Sequence, residues 1–198
     1  MHSLDIYTIL LKPYLDEYRD EVVMYREHYE KRFTDFKFNI YSDYSNDELY
    51  EIFNEFNTII TPCRVKGSAY SPYWETKKNQ IMNSCWRKSK ATWRIVSDID
   101  ELLQMDESDL EDITEDIIQF KAFQIVKNTK YRIKIELYDK CLMFKDTVGS
   151  MRWSTGLHAC NPLMKTKNAV YSKLKYELWH YGRKSRENKD LCKRNFLI

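Results

Sequence analysis

Four apolar, strand-like runs separated by three stretches of helical spacing fill the first hundred residues, and no other feature narrows the fold as far. The runs are "DIYTILLK" (5–12), "FKFNIYSDYSND" (36–47), "TIITPC" (58–63) and "TWRIVSDID" (92–100). Between the first two, Val22, Tyr25 and Tyr29 recur at helical spacing within residues 16–33. Next, "DELYEIFNEF" places Leu49, Ile52, Phe53 and Phe56 on one helical face, and "YWETKKNQIMNSCWRKSK" reads as a third helix. The order β-α-β-α-β-α-β predicts an α/β fold whose mostly parallel sheet is flanked by helices. In such sheets ligands collect at the carboxyl ends of the strands. Asp43 and Asp98, each at the end of a predicted strand, are therefore expected to face one crevice.

The pattern changes after residue 103. Leu110, Ile113 and Ile117 fall at helical spacing on an acidic background, which predicts a helix. "QFKAFQIVKN" and "YRIKIELYDKCLMFK" alternate like antiparallel strands. "GSMRWSTGLHACNP" reads as a short strand and a turn. The last segment, "VYSKLKYELWHYGRKSRENK", reads as a strand or helix start followed by a basic helix. With four glycines and four prolines in 198 residues there is no flexible linker. The expectation is one domain over 1–198, with a nucleotide-binding half (1–103) and a smaller, antiparallel closing half (104–198).

Charge and cysteine usage remove some function classes. Thirty-two basic residues against thirty acidic ones leave a net charge of +2, which argues against a dedicated nucleic-acid binder. Five cysteines without C-x-x-C or zinc-like spacing read as reduced thiols. No apolar run approaches the ~20 residues of a membrane span. The expected location is the cytoplasm, of a host cell if the protein is viral.

The stretch "WRIVSDIDELL" holds the chemistry. A core strand runs into Asp98, Asp100 and Glu101, three carboxylates that repel one another and resist desolvation. Side chains two apart in an extended chain point the same way, so Asp98 and Asp100 could hold Mg²⁺ or Mn²⁺ between them, and the cation would cancel the repulsion. The alternative is a helix N-terminus capped by Asp98 or Asp100.

The residues around this triplet resemble small viral and bacterial glycosyltransferases of the GT-A fold, of the family-2-like and family-92-like types. The matching pattern is Trp93, Asp98, Asp100, Glu101 and Leu102, with Gln80, Asn83 and Cys85 upstream. "YSDYSND" follows strand two; Gly156 with His158, then His180, Tyr181, Lys184 and Ser185, lie downstream. The resemblance implies a metal-dependent transferase moving a sugar from a nucleoside diphosphate, UDP favoured, to a hydroxyl of a glycan or other acceptor. It places Asp43, Lys12, Gln80, Asn83, Asp98, Gly156 and Lys184 around the nucleotide. It also implies that Asp98 and Asp100 hold the metal, with His158 or His180 as a further ligand, and that Asp100 and Glu101 work at the reacting centre. Glu101 would bond the donor sugar or cap the next helix. Two rival readings stand beside it. A nucleotidyltransferase would carry a glycine-rich loop near the first strand, yet no glycine precedes Gly67. A non-catalytic nucleotide or nucleic-acid binding module would draw on the basic tail, against the near-zero net charge.

Overall fold

The computed structural model describes residues 3–44, 46–63, 72–125, 132–134, 139–154, 160–164 and 176–181. The first hundred residues follow the expected order: β1 (Leu4–Leu10), α1 (Lys12–Glu30), β2 (Phe36–Ser42), α2 (Asn46–Tyr50), β3 (Thr58–Pro62), α3 (Pro72–Met82) and β4 (Trp93–Val96). β3, β2, β1 and β4 lie side by side and all parallel, with Leu10 level with Ser42 and Tyr7 level with Val96. A mostly antiparallel part follows: β5 (Glu101–Gln104), β6 (Ile117–Ile125), β7 (Arg132–Lys134), β8 (Lys140–Lys145), β9 (Val148–Trp153), β10 (Cys160–Met164) and β11 (Tyr176–His180), with β11 parallel to β6. The large sheet runs β3-β2-β1-β4-β8-β6-β11-β5, with β7 on β6, while β9 and β10 form a separate antiparallel pair. The α/β class and the parallel-then-antiparallel division are as the sequence predicts.

The sheet curls, and chain length explains why. β4 and β5 stand four places apart in strand order, about 19 Å if the sheet were flat. Only residues 97–100 join them, and Glu101 N donates to Asp98 O at 3.1 Å, closing a turn. A turn brings its ends within about 7 Å, and two more residues add about 7 Å. The edge strand must therefore swing back toward β4. Helix α1 fills the resulting trough. Val22, Tyr25 and Tyr29 are fully buried, and the Tyr25 and Tyr29 rings meet edge to face at 4.9 Å, each also near Phe38. The Tyr25 hydroxyl bonds the Ser97 hydroxyl at 3.0 Å, and His28 Nε2 donates to Leu103 O at 2.8 Å. One helix thus fastens both sides of the 97–100 connection.

Four local expectations are corrected. The first helix begins at Lys12, not Asp16, because Pro13 suits a first helical turn, where its missing N–H costs nothing. The helix expected over 47–56 stops at Tyr50; Asn54 then caps a 3-10 turn, accepting from Phe56 N at 3.0 Å. Phe56 is consequently 87% exposed, while Leu49, Ile52 and Phe53 are buried as expected. The acidic stretch after 103 forms only a 3-10 turn (Glu107–Glu111), and Ile117 opens β6 opposite Phe144. Asp98 and Asp100 do not extend β4: the strand ends at Val96, the chain turns, and Glu101 starts a new strand paired with β11.

Candidate functional site

The acidic turn sits at the carboxyl end of the parallel strands, and its three carboxylates each meet a cation from elsewhere in the chain. Lys78 Nζ on α3 reaches Asp98 at 2.6 and 2.7 Å, to Oδ1 and Oδ2. His180 Nε2 on β11 lies 3.4 Å from Asp100 Oδ2. Lys140 Nζ on β8 bonds Glu101 Oε1. Three acids against three bases resolve the apparent contradiction of a carboxylate cluster on a core strand: repulsion is matched pair by pair.

The three pairs differ in depth. Glu101 and Lys140 are sealed, at 1% and 4% side-chain exposure. Glu101 Oε2 also accepts from Asp98 N at 3.1 Å, so its carboxylate closes the turn from within while Lys140 neutralises it. Burial opposes the Lys140 charge, but the carboxylates of Glu101 and Asp98 outweigh it and raise its pKa. Glu101, expected at the reacting centre, therefore has both oxygens committed to fastening the turn.

Asp98 and Asp100 stand nearer the surface, at 24% and 15% side-chain exposure. Burial would raise the pKa of Asp100, yet the hydrogen bond and charge of His180 bring it below the ordinary carboxylate value. His180 mirrors this. Burial would lower it, and Asp100 holds it above the usual imidazole value. Register makes the arrangement firm: His180 lies level with Glu101 on β5 and with Gln124 on β6. Tyr181 N then donates to Asp100 O at 2.9 Å, tying the end of β11 to the turn.

Other expected residues fall in different settings. Asp43 follows β2 at the same edge of the sheet and is exposed; burial pushes the Cys63 thiol up to about 11, and the neighbouring Asp43 carboxylate adds to this. Gln80 is exposed on α3, and its carbonyl accepts from Ser84 Oγ at 2.8 Å. Asn83, expected at the nucleotide, clamps β9 instead: its Oδ1 accepts from Trp153 N at 2.7 Å and its Nδ2 donates to Trp153 O at 3.3 Å. Lys12 opens α1. Gly156, His158 and Lys184 lie outside the described residues. A cavity of about 580 Å³ lies over the amino ends of β1 and β2, beside Asp5, Tyr7, Asn39, Tyr41 and Lys88, and includes none of the expected site residues.

Sequence reasoning missed Lys78, Lys140 and Gln124. One readable sign exists for Lys140, which alternates in phase with buried Leu142 and Phe144 on β8. Lysine in an apolar phase needs a carboxylate partner. Gln124 likewise falls in phase with buried Phe120 and Ala122 on β6, while nothing local marks Lys78.

The donors present suit a divalent cation in part. Among the described residues, no three His, Cys, Asp or Glu side chains gather to hold a metal ion. Asp100 and His180 form a pair, and Asp98 stands two residues from Asp100 on the same turn. Mg²⁺-type sites commonly use one or two carboxylates and complete their shell with substrate phosphates, so the pair fits a cation that arrives with a diphosphate.

No family model and no curated protein matches the chain. Solved structures of similar shape include Staphylococcus aureus TarS, at 10% identity and TM-score 0.49, over 96% of this chain and 38% of that one. Another is the galactosyltransferase LgtC in complex with donor and acceptor sugar analogs, at 11% identity and TM-score 0.42, over 59% and 46%. The glycosyltransferase GlyE of Streptococcus pneumoniae matches at 12% identity and TM-score 0.37, over 61% and 30%. The chain spans less than half the length of each. Among the described residues, no helix is long and apolar enough to cross a membrane.

Proposed function

We propose that the chain is a glycosyltransferase of GT-A type that moves a sugar from a nucleoside diphosphate, with UDP favoured, to a hydroxyl of a glycan or similar acceptor. The observation that carries this reading is the meeting of Asp100 and His180 at 3.4 Å on the carboxyl edge of the parallel sheet. The motif resemblance assigned both residues to one metal, and they come from distant parts of the chain.

The protein's own contribution is to hold a rigid acidic turn. Glu101 and Lys140 lock the turn from inside, Asp98 and Asp100 face outward, and His180 closes one flank. Asp43, which follows β2, would meet the base or ribose. Mn²⁺ or Mg²⁺ held by Asp100 and His180, with Asp98 beside them, would supply Lewis-acid neutralisation of the departing diphosphate. Lys78, buried against Asp98, adds a fixed positive charge beside the same edge.

The test is calorimetric titration of UDP-sugars and GDP-sugars with Mn²⁺ and with a chelator, alongside donor turnover. Metal-dependent binding with UDP preferred supports the proposal. Equal affinity with and without the cation, or no nucleotide binding at all, counts decisively against it.

A further inference from the structure

Gln124 on β6 is 8% exposed and belongs to none of the motifs that mark the site. Its amide is fully committed to the residue beside it. Nε2 donates to His180 O at 2.9 Å and reaches Ile125 O at 3.4 Å. Carbonyl oxygens only accept, so the NH₂ end of the amide must face them and the Oε1 end must face the ring. Oε1 lies 2.8 Å from His180 Nδ1. An amide oxygen cannot donate, so Nδ1 carries the hydrogen. The other ring nitrogen, Nε2, is then the one turned toward Asp100.

We infer that Gln124 is a positioning residue that holds the Nδ1–H of His180, so that when a divalent cation displaces the Nε2 proton shared with Asp100, Nε2 is the nitrogen presented to it. The inference rests on the functional reading above. Partners of this kind orient ligating histidines generally, and their loss weakens metal binding by roughly 10–100-fold. Register adds rigidity, because β6 and β11 pair directly at these two positions.

The experiment uses the full chain, Mn²⁺ with UDP present, and two readouts. Electron paramagnetic resonance titration compares the native protein with Gln124→Ala, Gln124→Glu and Asp100→Asn. Gln124→Ala should weaken Mn²⁺ binding by roughly 10–100-fold, and Gln124→Glu, which keeps an acceptor for Nδ1–H but turns an oxygen against the carbonyls of His180 and Ile125, should recover only part of the loss. Nitrogen-15 resonances of histidine with Mg²⁺ and UDP bound report the neutral tautomer: the native ring should carry its proton on Nδ1, and Gln124→Ala should show a mixture. Native-like Mn²⁺ affinity in a folded Gln124→Ala variant overturns the inference, as does an Nε2–H ring in the native chain with Mg²⁺ and UDP bound. The resonance measurement on the native chain stands even if the alanine variant does not fold. Loss of Mn²⁺ in Asp100→Asn but not in Gln124→Ala sinks the role of Gln124 alone. Failure of the native chain to bind Mn²⁺, or equal binding by Asp100→Asn, removes the metal site and the inference with it.

Discussion

Asp100 Oδ2 and His180 Nε2 face each other at 3.4 Å across the junction of the acidic turn and β11, and each favours the charged form of the other. The pair therefore contributes to the fold as well as to the site. From the sequence alone, Asp100→Asn relieves a repulsion with Asp98 and Glu101 and leaves stability unchanged or raised. With His180 in place the sign reverses. Asp100→Asn should cost ~1.5–3 kcal/mol, the worth of a hydrogen bond to a charged group, and lower transfer by at least ~100-fold. Urea denaturation and donor turnover on this one variant check both. Full activity in a destabilised protein would make the pair structural only.

His28 predicts a pH dependence that has nothing to do with the site. Burial lowers its pKa from 6.5 to about 4, against the opposing bond to Leu103 O. The folded state keeps the ring neutral, while the unfolded chain protonates it near 6.5. Between those values the unfolded state holds more protons, so stability rises with pH and is lost as pH falls through the window. The contribution is about 3 kcal/mol from neutrality down to pH 4, on the order expected for such a shift. His28→Gln, which can still donate to Leu103 O, should flatten the slope of unfolding free energy over that range. An unchanged slope would assign the acid sensitivity to other groups.

The alternation of strands and helices up to Val96 is legible because each element carries its own periodicity: Val22, Tyr25 and Tyr29 on one face of α1, and Phe38 with Ile40 on one face of β2. Asp98, Asp100 and Glu101 are legible as a site because three carboxylates on a core strand demand compensation. Their compensators are not. Lys78, Lys140 and His180 reach the turn from α3, β8 and β11, and those meetings depend on the curl of the sheet. That curl follows from β5, whose four residues are too short to show a period and which, among the described residues, pairs with distant β11 alone. Gln124 does leave a sign, since it falls in phase with buried Ile118, Phe120 and Ala122 on β6, but its partner on β11 is as distant as the others.

The sealed Glu101–Lys140 pair should be costly to break singly and cheap to remove whole. Lys140→Met leaves a carboxylate at 1% exposure without its cation, a loss of ~3–5 kcal/mol. Glu101→Gln in the same chain removes the stranded charge and keeps an acceptor for Asp98 N, so the double variant should regain much of that stability. Chemical denaturation of the two singles and the double gives the coupling directly. Additive losses would show that the two side chains act independently and that the turn is held by other bonds.

Lys78 competes with any cation that seeks Asp98. Its ammonium holds both carboxylate oxygens, at 2.6 and 2.7 Å, from a largely buried position on α3, and the Asp98 charge raises the Lys78 pKa despite burial. A divalent ion using Asp98 must displace that ammonium or share the carboxylate with it. Lys78→Met therefore frees a ligand, and Mn²⁺ alone should bind about tenfold more tightly, near the lower end of what one charge-assisted hydrogen bond is worth. Removing a positive charge also attracts cations without specificity, so Lys77→Met serves as the control; it deletes the same charge one residue away, beside Cys63 rather than Asp98. Tighter binding in Lys78→Met but not in Lys77→Met places Asp98 in the metal site. Equal behaviour of the two variants removes Asp98 from it and leaves Asp100 and His180 as the protein's share.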